Sequence, residues 1–111
     1  MEKFFKNLDY ATVLTLKDQV EYLKGQVVSK TLAQNDAFSM TLFAIAAGEG
    51  ISAHKSTGDA LVYCLEGRGE IRIDDQPAEL GCGQCIVMPA GHPHALAAKE
   101  NFKFLLVVAF Q

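Results

Sequence analysis

Gly48-Glu-Gly-Ile-Ser-Ala-His54-Lys-Ser-Thr-Gly-Asp-Ala60-Leu-Val-Tyr-Cys-Leu-Glu-Gly67 is answered further along by Gly83-Gln-Cys-Ile-Val-Met-Pro89-Ala-Gly91-His-Pro-His94-Ala-Leu-Ala-Ala98. Each half places five residues between a glycine and a marker, His54 in the first and Pro89 in the second, and then returns through a short apolar run. Gly67, Gly83 and Gly91 suit turn conformations that other residues reach only at a cost, and Pro89 ends a strand without wasting a donor. The pattern makes sense as two β-hairpins that face each other.

Outward from this stretch, the chain breaks about every ten residues into short apolar or alternating runs bounded by turn residues, the rhythm of a sandwich or barrel. Strands are expected over 26–34, 38–46, 60–65, 69–73, 78–80, 85–88, 94–97 and 102–110. The clearest hairpin turns at Asp74-Asp75, with Glu70, Arg72 and Glu79 toward water. The terminal run Phe104-Leu-Leu-Val-Val-Ala-Phe is apolar on both faces, so its outer face needs cover from an amino-terminal segment, a second sheet or a partner subunit. A homodimer is expected on that ground. Residues 1–25 read as an extension packing on the barrel or on that partner, with one short helical turn near Leu16 to Val20 capped by Thr15. The alternative for 20–28 is two short strands turning at Lys24-Gly25.

A chain of 111 residues, half of them hydrophobic, has the size and composition of a single globular domain. The net charge of −3, with lysines dispersed among acidic residues, offers no stripe for nucleic-acid phosphates. No apolar run reaches the roughly 20 residues that span a bilayer, and the first residues lack the pattern of a secretory signal. A cytoplasmic protein is expected. The three cysteines, Cys64, Cys82 and Cys85, then read as reduced thiols. Cys82 and Cys85 have redox-pair spacing but span a glycine turn entering a strand, which favours small structural residues over chemistry.

The spacing of glycines, proline and histidines across Gly48 to Ala98 resembles the two motifs of the cupins, and in its length the chain looks like the short bacterial conserved-barrel, RmlC-like group. The resemblance implies an all-β fold, a double-stranded β-helix or jelly-roll barrel. It also implies a pocket where members that bind a metal use two histidines and a glutamate from the first hairpin and one histidine from the second. Here His54 and His94 stand at ligand positions, while Ser56, Ala60 and Ala98 stand where the family has a histidine, a glutamate and an asparagine. In that frame Val62 and Cys64 follow Ala60 into the barrel.

Three readings follow. In the first, the barrel binds a small polar molecule, a carbohydrate or carboxylate, in a pocket of His54, Ser56, Ala60, Val62, Cys64, His92 and His94. In the second, His54, His94 and either His92 or Asp59 hold a divalent transition metal, Fe, Mn, Ni or Zn. His92 shares a face with His94 if the segment is extended; Asp59 needs a bulge to turn inward. In the third, a histidine acts as base in a metal-free isomerisation. Tyr63 is a conceivable acid there, although strand parity points it away from the inward set.

Overall fold

The computed structural model describes residues 4–110. Nine strands form: β1 (Val27–Gln34), β2 (Phe38–Ile45), β3 (Gly50–His54), β4 (Asp59–Glu66), β5 (Arg68–Ile73), β6 (Gln76–Gly81), β7 (Cys85–Met88), β8 (His94–Ala98) and β9 (Phe102–Ala109). They pair antiparallel in two facing sheets, ordered β1-β2-β9-β4-β7 and β3-β8-β5-β6. This is the jelly-roll barrel that the resemblance implies. The strand missing from the sequence-based set is β3, short and mostly exposed, with too few apolar residues to stand out.

The barrel is filled by inward residues at every second position, Ala60, Val62 and Cys64 from β4 against Phe102, Phe104 and Val108 from β9. Asp74 and Asp75 form the two-residue hairpin turn with φ of 50° and 65°, as their tolerance of left-handed backbone predicts. Glu70 is less open than expected: its side chain is held between Arg72 and Lys99 at 2.8 and 2.9 Å.

Residues 8–22 of the amino-terminal segment lie across the outer face of the larger sheet; residues 1–3 of the expected extension lie outside the described residues. One 3₁₀ turn, Leu16–Gln19, forms where a helical turn was expected, but the Thr15 side chain does not cap it; the Thr15 carbonyl accepts from Asp18 N instead. Among the described residues no strand forms before Val27, so the two-strand alternative for 20–28 is set aside. Leu8, Leu16, Val20 and Tyr22 pack on Leu32, Leu42, Ala44 and Leu105. Part of the cover that the terminal apolar run requires therefore comes from the same chain.

Candidate functional site

The open end of the barrel leads into a cavity of about 510 Å³. Its walls are apolar: Phe43 and Phe104, stacked at 4.9 Å, with Ile51, Met88, Leu96, Leu106 and Val108. Ala60 opens this space, because a larger residue at its inward position on β4 would occupy the cavity floor. Polar groups gather at one side: His54, Lys55, Ser56 and Thr57 from the end of β3 and the loop after it, and His94 from β8.

A β-bulge aims His54. Ile51 lies opposite Leu96 and His54 opposite His94, so β3 spends three residues where β8 spends two. In a regular strand Ile51 and His54 would face opposite ways; the extra residue lets both line the cavity. The two imidazoles meet edge to face, Nε2 to Nε2 at 3.1 Å.

Their protonation follows from their other contacts. His54 Nδ1 lies 3.0 Å from the Ser52 carbonyl, which only accepts, so this nitrogen carries a hydrogen. In the neutral ring His54 Nε2 is then an acceptor and His94 Nε2 the donor to it. That leaves the buried His94 Nδ1 as an acceptor without a partner among the described residues. Burial first, and then the facing His54, hold the pKa of His94 below its ordinary value; a weaker backbone contribution from His92 opposes them and loses.

Of the residues singled out in the sequence, His54, Ser56, Ala60 and His94 come together around the cavity. Val62 and Cys64 point into the barrel but lie in its solid core, below the cavity, and burial pushes the Cys64 thiol up. His92 does not join them: its Nδ1 is 2.5 Å from Asp74 Oδ2, on the outside of the hairpin turn. The extended segment does not carry it inward because it precedes β8 and turns toward Asp74. Asp59 also stays outside, since β4 runs against β9 in regular register at this point; its carboxylate accepts from Ala90 N at 2.8 Å and braces the Pro89–Gly91 turn. Tyr63 is exposed on the outer face, as its parity requires. Cys82 and Cys85 are exposed free thiols, Cys82 in the turn between β6 and β7 with its Sγ on the Leu65 carbonyl. Lys55 and Thr57 were missed by sequence reasoning; their position directly beside His54 and Ser56 was the available signal.

The donor set does not fit a resident transition metal. Even an open zinc site uses three protein ligands as a rule, and among the described residues no group of three or more His, Cys, Asp or Glu side chains converges. His54 and His94 are two, Ser56 and Ala60 replace the donors that would complete them, and His92 and Asp59 are engaged elsewhere.

A family model for the cupin domain matches residues 41–110. The chain belongs to the cupin family. It is similar over 99% of its length, at 42% identity and a TM-score of 0.96, to 96% of a conserved protein of unknown function from Streptococcus pyogenes. A cupin superfamily protein from Desulfitobacterium hafniense is 36% identical, with 96% of this chain on 98% of that one and a TM-score of 0.92. A cupin 2 conserved barrel domain protein from Leptotrichia buccalis is 40% identical over 84% of this chain and 45% of its own, with a TM-score of 0.82. No protein of curated function matches the chain in sequence. Among the described residues no helix is long and apolar enough to cross a membrane.

Proposed function

We propose that this barrel binds a small amphiphilic organic molecule, its apolar body in the cavity and its polar end at the rim of His54, Lys55, Ser56 and Thr57. The observation that carries the reading is the division of the lining: apolar side chains from β2, β3, β4, β7, β8 and β9, and polar groups only from residues 54–57 and His94. A cavity of about 510 Å³ is within the usual range for small-molecule sites, and such sites combine apolar walls with a few placed polar groups. A carbohydrate fits this lining poorly. Its ring hydroxyls would lose water against Phe43, Phe104 and Leu106 and find no partner there.

Titration with benzyl alcohol and with glucose, followed by methyl NMR, tests this. Benzyl alcohol should shift the Met88, Leu96 and Leu106 methyl signals. Shifts with glucose and none with benzyl alcohol would reverse the reading.

One observation favours a second reading, a metal-free proton transfer. The Nε2 atoms of His54 and His94 share a single hydrogen in the neutral pair, and a bound molecule that displaced this contact would meet an imidazole nitrogen able to take up a proton. Solvent deuterium entering a bound molecule's C–H position, and its loss in His54→Ala, would support it; no exchange would remove it. A homodimer remains part of the proposal on the exposure of Tyr63 and Val87 on the outer face. Light scattering that gives the mass of one chain would remove that part.

A further inference from the structure

Among the side chains that line the cavity only one carries a fixed charge, Lys55, and none is acidic. Lys55 forms no ion pair with any described residue. Charge at the edge of low-dielectric walls is felt more strongly than in water, so the cavity favours an anion and disfavours a cation.

Hydrogen-bond accounting narrows the anion. In the neutral pair both nitrogens of His54 are occupied, Nδ1 by the Ser52 carbonyl and Nε2 by His94. The histidines therefore offer a ligand no free donor. Ser56 does: its Oγ already accepts from Gly58 N at 3.2 Å, so its hydroxyl hydrogen is left to give. Lys55, Ser56 and Thr57 follow one another on the same rim, one cation and two hydroxyls. A carboxylate has two oxygens and one charge. A phosphate dianion needs more, usually several cationic side chains or a helix N-terminus, and neither is present in this lining, which comes only from strands and their loops.

We propose, resting on the amphiphile reading above, that the bound molecule is a monocarboxylate, its oxygens on Lys55 Nζ and Ser56 Oγ and a ring-sized apolar body against Phe43 and Phe104. Lys55 is the specificity-determining residue of this site. Ser56 supplies a hydroxyl that donates to the same anion.

The test compares benzoate with benzamide, equal in shape and different in charge, in phosphate-free buffer at pH 7.5, read by calorimetry and by the Met88 and Leu106 methyl signals. Benzoate should bind at least tenfold more tightly, since a charge-assisted contact is worth more than about 1.4 kcal/mol. Lys55→Met should weaken benzoate several-fold more than it weakens benzamide, and Ser56→Ala should weaken benzoate several-fold, with any loss for benzamide smaller; both positions are at the rim, and an unchanged melting temperature checks that the variants fold. Equal affinity for the two probes with the methyl shifts intact overturns the carboxylate and leaves the amphiphile site standing. Benzoate binding that ignores both substitutions also overturns it. If neither probe nor benzyl alcohol moves the methyl signals, the amphiphile reading itself fails.

Discussion

His54 and His94 stand Nε2 to Nε2 at 3.1 Å across the β3–β8 pair, one ring open to the cavity and the other 2% exposed. The contact depends on a bulge that brings His54 inward, and it leaves His94 Nδ1 buried without a hydrogen-bond partner among the described residues. An unpartnered acceptor of this kind usually costs stability, on the order of 1–3 kcal/mol.

The pair makes stability depend on pH. His94 has a pKa lowered from 6.5 in the folded protein, chiefly by burial, so the unfolded chain binds its proton first as pH falls. The contribution is fully present above about pH 6.5 and declines below it, by at most about 1.4 kcal/mol per pH unit for one proton. Melting temperatures at pH 7.5 and 5.5 should show a loss in the parent that is smaller in His94→Gln. Equal losses in both would mean another group is responsible.

Ala60 should be replaceable by leucine with little loss of fold and complete loss of binding. The added carbons enter existing space, so the overpacking that costs about 1–3 kcal/mol in a filled core is avoided, while the floor of the cavity is taken up. Ala60→Leu should melt within a few degrees of the parent and show no methyl shifts with benzyl alcohol. Retained binding would place the molecule elsewhere.

Gly67 and Gly91 look alike in sequence and in backbone, with φ of +79° and +78°. Their surroundings differ. A Cβ on Gly91 meets nothing within 4 Å, whereas one on Gly67 runs into the Asn101 carbonyl oxygen. Gly91→Ala should cost about 1–2 kcal/mol, the left-handed backbone penalty alone. Gly67→Ala adds a backbone collision and should be clearly less stable in urea. The reverse order would contradict the close approach of the β4–β5 turn to residue 101.

How much of the molecule was legible follows the same division between local and long-range causes. The turns at Gly67, Asp74-Asp75 and Pro89–Gly91, and the inward phase of β4, are set by neighbours in sequence, and they appear as expected. His92 was placed wrongly because its orientation is decided by Asp74, eighteen residues away, through a contact that alternation cannot anticipate. Val62 and Cys64 were given the right face; what sequence could not supply is depth, since Phe102 and Phe104 fill the barrel at their level. The bulge in β3 also hid that strand, because it breaks the period-2 pattern by which strands are recognised.

Lys103 is the charged residue that this sequence hides best, set on β9 between two phenylalanines and only 8% exposed. Its ammonium donates to the Lys17 carbonyl at 2.7 Å and sits 4.9 Å from the centre of the Tyr22 ring, while Lys30 donates to the Gln19 carbonyl at 2.8 Å. Two lysines thus satisfy carbonyls of the 3₁₀ turn that the turn itself leaves open. Tyr22 completes the attachment by donating to Glu66 at 2.7 Å. Lys103→Met keeps the stem and removes the charge, so its effect reports the loss of the bond to Lys17, worth about 1.5–3 kcal/mol for a charged donor, together with the contact to the Tyr22 ring. The variant should expose the segment before Val27 to limited proteolysis at least tenfold faster while the barrel strands stay protected. Cleavage at the parent's rate would show that the apolar contacts of Val20 and Leu16 suffice to hold the segment in place.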